Sequence, residues 1–283
     1  MRPMTGDLLI GALGRRFATL EATGSYDAVG EDGVMSVLSQ AGCFGKLISR
    51  SRFSPDLMPI SYRGHVFSRG GKTNMRDFSP RATEPGLTLP VLMIVGTSMS
   101  AGKTYAGRVA VRLLKELGHR VVAAKLTGAG RRRDVLSLGD AGADHVFDFI
   151  DAGLPTTVCP PDEYRAAVSG LLSRIEETDG TVVVVEAGAS PLEPYNGGTL
   201  VDLLSQRIGF TVLCASDPYA VKGIQVAWGR NFDLVAGPAA NTVAGVQLVE
   251  RLTSLPALDM MDETGRPRFR QLLSHSFGAG PHV

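Results

Sequence analysis

Lys103 and Thr104 end a glycine-rich turn that follows an apolar run, and their spacing suits the binding of a phosphate chain. The run 91–95 is short and rich in branched residues, which predicts a strand covered on both faces. The turn leads into an amphipathic pattern, and the free N–H groups at the start of a helix hold anions. There Lys103 would neutralise the outer phosphates while the Thr104 hydroxyl binds Mg²⁺. We expect phosphate contacts from Gly96, Thr97, Ser98, Ser100, Ala101, Gly102, Lys103 and Thr104.

A second group of polar residues follows the next apolar run, which ends at Lys125. A lysine at the carboxyl end of a parallel strand points into the crevice where doubly wound sheets bind ligands. Asp134 comes shortly afterwards, either as a functional carboxylate or only as a helix N-cap. The arginines at 131–133 suit a carboxylate or a phosphate because guanidinium groups bind both bidentately, although solvated surface is an equal reading.

Four consecutive valines at 182–185 predict a central strand, and Glu186 follows them directly. A carboxylate at that strand end lies beside the phosphate-binding loop, where it can bind Mg²⁺ or orient a nucleophile. Its alternative reading is a structural carboxylate that faces solvent. The polar loop 191–198 that follows is long enough to contact a substrate.

These motifs together resemble dethiobiotin synthetase. In this chain Thr97 stands where the usual consensus has a glycine, and the phosphate-binding loop of dethiobiotin synthetase is similar in this respect. The Val-Glu-Gly-Ala-Gly segment of that enzyme resembles residues 185–189 of this chain. The resemblance implies that Lys125 contacts the transferring phosphate and the substrate, and that Asp134 helps to hold Mg²⁺. It also implies that Asn241 reads the adenine edge, although asparagine is equally a preferred helix cap. A homodimer is implied by the resemblance alone.

The resemblance covers roughly residues 90–255, whereas dethiobiotin synthetase begins almost at its phosphate-binding loop. The whole chain looks most like an uncharacterised group of dethiobiotin-synthetase-like proteins with an extra N-terminal domain. Some of that group are associated with N-acylation of D-amino acids such as D-glutamate.

Strand and helix patterns alternate beyond residue 88, which predicts a parallel doubly wound α/β sheet of the P-loop NTPase type. Residues 1–88 form a predicted small β-rich N-terminal domain, joined by a Pro- and Gly-containing linker at 79–86 to the α/β domain 89–283. We predict strands at 91–95, 120–125, 181–185, 210–214 and 234–236. The predicted helices are 103–117, 163–177, 200–206 and 243–252.

Composition argues against several kinds of partner. The formal net charge of +1 gives no reason to expect capture by nucleic acid or an anionic membrane. No apolar run reaches the roughly 18 residues that cross a bilayer, so a cytoplasmic location is expected. Neither the three cysteines nor the five histidines have the spacing of a metal site.

These observations predict a ligase-like enzyme in which Mg-ATP lies on the loop and a small carboxylate or amine metabolite, expected to be anionic, is activated by phosphoryl transfer. Lys103, Lys125 and Glu186 are its predicted catalytic residues, with Thr104, Asp134 and Glu186 at the metal. ATP is favoured over GTP because the guanine signature Asn-Lys-x-Asp is absent from the sequence. Two alternatives remain: an N-acyltransferase that holds acyl-CoA on the loop, and a nucleotide-controlled binding module. The substrate and the role of residues 1–88 stay open.

Overall fold

The computed structural model describes residues 3–68, 70–82 and 86–281, and the chain forms two large sheets of six strands each. The first sheet is mainly antiparallel, in the order β2-β3-β5-β4-β6, with β1 paired in parallel to β5; β7 and β8 form a separate hairpin. These strands are β1 (Ala12–Leu13), β2 (Arg15–Ala18), β3 (Ala22–Ser25), β4 (Val34–Val37), β5 (Cys43–Arg50), β6 (Pro59–Ser61), β7 (Phe67–Ser68) and β8 (Gly71–Lys72). The predicted short strands are confirmed.

The described residues before 83 are called the N-terminal region below. It also holds two 3₁₀ helices, Tyr26–Ala28 and Met75–Phe78. Part of the predicted linker, 83–85, lies outside the described residues, and the division of the chain at residue 88 stays a prediction.

The second sheet is entirely parallel and confirms the predicted α/β class. Its order is β11-β10-β12-β9-β13-β14. The strands are β9 (Val91–Gly96), β10 (Val121–Thr127), β11 (His145–Asp148), β12 (Val182–Ala187), β13 (Ile208–Cys214) and β14 (Leu234–Ala236). Near-continuous branched and small apolar residues fill β9, β10 and β12, as expected of strands buried on both faces.

Helices cover both faces of this sheet and enclose two apolar cores. They are α1 (Lys103–Glu116), α2 (Arg132–Asp140), α3 (Pro161–Glu176), α4 (Gly197–Leu203), α5 (Pro218–Trp228), α6 (Val243–Thr253) and α7 (Gly265–Phe277), and a 3₁₀ helix spans Pro238–Ala240. Helices α1 and α7 pack on one face through residues such as Ala110 and Phe269. Helices α3 to α6 pack on the other through residues such as Val168 and Ile224. No helix in the described part of the chain combines the length and apolar character needed to cross a bilayer.

Among the described strands and α-helices after residue 88, four were not among the predicted ranges: β11, α2, α5 and α7. Strand β11 has only four residues and two of them are His145 and Asp148, so it has no apolar run to detect. The start of α5 did carry a signal, because Asp217 caps it and Pro218 is its first residue. Helix α7 has few apolar positions and a proline in its first turn.

Because every strand of the second sheet is parallel, all six carboxyl ends lie at one edge of that sheet. Strand β9 lies between β12 and β13, so the chain winds away to both sides of it. Open α/β sheets bind their ligands at such a switch point. The phosphate-binding loop after β9 therefore lies where this fold forms a ligand crevice.

Candidate functional site

The predicted phosphate-binding turn is present and joins β9 directly to α1. Ser100 and Gly102 both have positive φ, 64° and 96°, which turns the chain tightly into the helix. Gly102 is the N-cap of α1 and provides no side-chain hydrogen bond to its first turn. The amides there are available to an anion, which the helix dipole also favours. All the predicted phosphate-contacting residues from Gly96 to Thr104 lie in this turn.

Lys103 folds back over the turn. Its Nζ donates to the carbonyl oxygens of Ser98 at 2.7 Å and Ala189 at 2.9 Å. A Cβ on Gly96 would lie 2.7 Å from that Nζ, so a larger residue at this position would displace the Lys103 side chain. Burial lowers the pKa of Lys103, and the negative charge of Glu186 offsets only part of that effect. A phosphate anion beside Nζ would supply the missing counter-charge.

A second charged cluster lies next to the turn and joins three predicted site residues. Lys125 Nζ donates to Asp134 Oδ2 at 2.5 Å and lies 3.5 Å from Glu186 Oε1, while Thr104 Oγ1 donates to Glu186 Oε2 at 2.9 Å. Burial lowers the pKa of Lys125, but the carboxylates of Glu186 and Asp134 outweigh it, and the net shift is upward. The two carboxylates therefore favour the charged ammonium form of Lys125.

The alternative reading of Asp134 as a helix cap is wrong. Helix α2 begins at Arg132 with Arg131 as its N-cap, so Asp134 lies inside the first turn. Its carboxylate contacts Lys125 instead. The alternative reading of Glu186 as a solvent-facing carboxylate is also wrong, because Glu186 is only 3% exposed.

The oxygen atoms around this cluster fit a magnesium ion that arrives with a nucleotide. Thr104 supplies a hydroxyl, and Glu186 and Asp134 supply carboxylates, which are the ligands that Mg²⁺ prefers. In the described part of the chain, no three His, Cys, Asp or Glu side chains are placed to hold a metal unaided. Phosphate oxygens and water would complete the coordination, as is usual for Mg²⁺.

The cluster includes one carboxylate that sequence reasoning missed. Lys125 is in register with Glu186 on one side and with Asp148 of β11 on the other, so these three residues form one row across the sheet. Asp148 is 7% exposed, and burial raises its pKa to about 7, although Lys125 acts in the opposite direction. The signal was hidden because β11 is short and polar.

Asn241 lies on the opposite side of the turn, near β13 and β14. The chain after β14 passes close to the loop, since a Cβ on Gly102 would lie 3.3 Å from Gly237 Cα. Asn241 is exposed and ends the 3₁₀ helix there. It does not cap α6, because the side chain of Thr242 accepts the capping bond from the Gly245 amide. The contact of Asn241 with an adenine stays a prediction.

A cavity of about 920 Å³ lies between the phosphate-binding turn and the N-terminal region; we call it the inter-sheet cavity. Lys103, Thr104, Lys125 and Glu186 line its floor, and Arg131 and Arg133 line its side. Two of the three arginines expected near a substrate therefore reach this space, whereas Arg132 does not line it.

The loop 191–198, expected to contact a substrate, does not line this cavity. Its Tyr195 is fully buried, and the Tyr195 hydroxyl accepts a hydrogen bond from the Phe17 amide at 2.8 Å. Glu193 in the same loop accepts from the Thr19 amide at 3.3 Å. The loop therefore contacts the N-terminal region instead of the cavity. The cavity wall that this loop was expected to form comes from the N-terminal region.

Comparisons with known proteins found only distant similarities. No protein-family model matches the chain, and no curated protein sequence matches it significantly. A crystal structure of the hydrogenase maturation factor HypB from Archaeoglobus fulgidus is 12% identical, over 66% of this chain and 89% of that one, with a TM-score of 0.44. The signal recognition particle receptor FtsY from Elizabethkingia anophelis in complex with GDP is 14% identical, over 72% and 69%, with a TM-score of 0.45.

Chloroplast FtsY from Physcomitrella patens is 18% identical to this chain, over 67% of this chain and 65% of that one, with a TM-score of 0.43. Similarities this low carry no functional inference. The strand order and the glycine-rich turn define the second sheet and its helices as a P-loop NTPase fold.

Proposed function

We propose that the protein is a Mg-ATP-dependent enzyme that transfers the γ-phosphoryl group to a small carboxylate substrate. One observation supports this more than any other: the turn with Lys103 and Thr104 directly adjoins the buried cluster of Lys125, Asp134 and Glu186. A nucleotide-binding module needs only the turn. A buried ammonium between two carboxylates, beside the place where a terminal phosphate would lie, favours group transfer.

The resemblance to dethiobiotin synthetase belongs to the same proposal. It assigns the transferring phosphate to Lys125 and a metal contact to Asp134, and the 2.5 Å bond between these residues is compatible with both roles. It also suggests a homodimer, which light scattering coupled to size-exclusion chromatography would test.

Each residue has a separate task in the proposed reaction. The amides of the turn and Lys103 hold the β- and γ-phosphates, so that the substrate and the phosphorus are fixed in line. Lys125 contacts the γ-phosphoryl group and the incoming carboxylate, where its positive charge offsets the charge that develops during transfer. Mg²⁺, held by the Thr104 hydroxyl and the Glu186 carboxylate with Asp134 nearby, would supply further neutralisation of the phosphate charge.

The step conserves atoms and electrons without an oxidant or a reductant. A carboxylate oxygen of the substrate forms a bond to the γ-phosphorus, and the bond from that phosphorus to the β–γ bridging oxygen breaks. Its electron pair remains on the nucleoside diphosphate, and the other product is an acyl phosphate. A neutral amine can then attack the acyl carbon; the bond from that carbon to the phosphate oxygen breaks, and the phosphate leaves as hydrogen phosphate with the proton that the amine loses.

The adenine preference is part of this proposal. Its support is the absence of an Asn-Lys-x-Asp signature from the sequence. Titration calorimetry with ATP, GTP and acetyl-CoA, each with and without Mg²⁺, would separate the choices. Tight binding of ATP with Mg²⁺ supports the proposal. Binding of acetyl-CoA alone would instead favour the N-acyltransferase.

The decisive variant is Lys103→Ala, with Lys72→Ala as its matched control. Lys72 also precedes a threonine and follows two glycines, but it lies in the exposed hairpin of β7 and β8. We expect Lys103→Ala to abolish turnover with little change in thermal stability, and Lys72→Ala to behave as the parent protein. Full activity in Lys103→Ala would refute the proposed role of the turn. Hydrolysis that responds only to a protein partner would favour the regulatory module.

A further inference from the structure

The inter-sheet cavity has two chemically different walls. Its floor, from the P-loop fold, is charged through Lys103, Lys125 and Glu186. Its roof, from the N-terminal region, is mixed. It has polar and charged residues, namely Arg16, Glu21, Ser39, Gln40, Ser54 and Asp56, and a larger set of apolar residues, namely Ala22, Val37, Leu38, Phe53, Pro55, Leu57 and Met58. A nucleotide triphosphate tail needs the floor, but it has no use for an apolar roof. The apolar part of the roof therefore suits a separate molecule.

The cavity lies on the acceptor side of the phosphate-binding turn. Its lining includes Thr104, Asp134 and Glu186 from the side of β10 and β12. Asp217 and Asn241, which follow β13 and β14, are not part of that lining. A nucleotide whose base lies toward β14 would therefore leave this space beyond its terminal phosphate. The volume is within the usual range of small-molecule sites, roughly 300–1,000 Å³.

The roof segment 53–58 leaves apolar side chains uncovered by protein. Phe53 is fully exposed and Met58 is 38% exposed, although both line the cavity. Arg50 holds the segment in place, since it donates to the Ser54 carbonyl oxygen and forms an ion pair with Asp56 at 2.7 Å. Exposed apolar residues that line a cavity and are held by such contacts are typical of an apolar ligand site.

We infer that the acceptor is an amphipathic carboxylate, whose apolar body packs under segment 53–58 while its carboxylate faces Lys125 and Arg131. This rests on the proposed function, because the charged end is placed by the phosphoryl-transfer site. The side-wall guanidinium groups of Arg131 and Arg133 provide the positive charge that orients the carboxylate. Arg131 is ion-paired with Glu21 at 3.2 Å, so the substrate carboxylate would replace Glu21 at that guanidinium. The N-terminal region then acts as the part of the enzyme that selects the substrate.

Two measurements separate this inference from the proposed function. First, calorimetry of the full chain with Mg-ATP tests nucleotide binding alone. Second, release of ADP is measured with acetate, butyrate, hexanoate and phenylacetate as acceptors. Each buried methylene should raise kcat/KM by up to about fourfold, so hexanoate should exceed acetate by at least about tenfold. Absence of nucleotide binding would refute the proposed function and this inference with it.

If nucleotide binds and acetate serves as well as hexanoate, this inference is wrong and the proposed phosphoryl transfer still stands. If nucleotide binds but no carboxylate increases ADP release, the proposed transfer to a carboxylate is wrong as well. The variant Phe53→Ser should reduce the hexanoate-to-acetate ratio of kcat/KM about tenfold. Because the Phe53 ring is fully exposed, this substitution should not unfold the protein, and thermal melting of the variant checks that it is folded. Phe67→Ser is the matched control, because Phe67 is 64% exposed in the same region but does not line the cavity. An unchanged ratio in Phe53→Ser would contradict the assigned roof.

Discussion

Replacement of Asp148 by asparagine should stabilise the fold above neutral pH. Asp148 is buried at the end of β11, and burial raises its pKa from 3.8 to about 7 despite the nearby Lys125 ammonium. A carboxyl with a raised native pKa contributes stability that is fully present below the unfolded pKa. That contribution is lost as the pH rises through the native value. Asparagine has the same shape and carries no charge, so it avoids this loss.

The size of the effect follows from the interval between the two pKa values. From 3.8 to about 7, at about 1.4 kcal/mol per pH unit, the ionised carboxyl costs the native state up to about 4 kcal/mol. Asparagine is itself polar and buried, so the observed gain should be about 2–4 kcal/mol at pH 8. Near pH 5.5 the gain in stability from Asp148→Asn should fall to about half of this value, because that pH lies about midway between the unfolded and native pKa values of Asp148.

Urea denaturation at several pH values, followed by circular dichroism, measures this directly. Asp144, which lies just before β11, provides a control, because its pKa shift has the opposite sign to that of Asp148. Burial raises the pKa of Asp144, but Lys115 and the Val121 amide outweigh that effect and lower it. Its contribution is present above the unfolded pKa and is lost as the pH falls, so Asp144→Asn should destabilise near pH 7 by about 1 kcal/mol. A pH-independent or destabilising effect of Asp148→Asn at pH 8 would refute the electrostatic reasoning.

Three further outcomes are expected. Burial lowers the pKa of Lys103 and a bound phosphate should raise it, so proton uptake on Mg-ATP binding should increase as the pH is raised toward the pKa of the free lysine; calorimetry at several alkaline pH values in buffers of different ionisation enthalpy detects this, and Lys103→Met should lose it. Glu186→Gln should lower turnover about a hundredfold or more, yet change nucleotide affinity in EDTA by less than about threefold, as measured by steady-state assay and titration. Glu21→Gln should destabilise by about 3 kcal/mol in urea, because Arg16 is buried and loses its ionised partner. The exposed pair of Arg15 and Asp27 provides the control: Asp27→Asn should leave stability unchanged.

Local patterns were sufficient for the centre of the fold. The apolar run that forms β9 and the Gly-Lys-Thr turn after it depend on neighbouring residues only, and both are present as predicted. Lys125 and Glu186 could be placed at one sheet edge because parallel strands end together. The position of Asp148 in the same row could not be predicted, because it depends on the pairing of β10 with β11, a strand too short to predict.

Contacts between distant segments were the other part beyond prediction. The bond from the Phe17 amide to the Tyr195 hydroxyl joins residues far apart in the chain, and no periodicity encodes it. Without that contact, the polar loop around Tyr195 has the composition of a substrate loop. The same limitation applies to Phe53, whose exposed ring gains a meaning only when the P-loop fold lies opposite it.

The two sheets are also connected electrostatically at the cavity. Glu21 of the N-terminal region forms ion pairs with Arg16 beside it and with Arg131 across the cavity, the latter at 3.2 Å. Arg131 is the N-cap of α2, and Asp134 in the first turn of that helix binds Lys125. The N-terminus of α2 therefore links Glu21 in the N-terminal region to Lys125 in the phosphate-binding site. A substrate that displaced Glu21 from Arg131 would act on the N-terminus of α2, which also positions Asp134. Binding of the acceptor would then be coupled to the position of Lys125 in phosphoryl transfer.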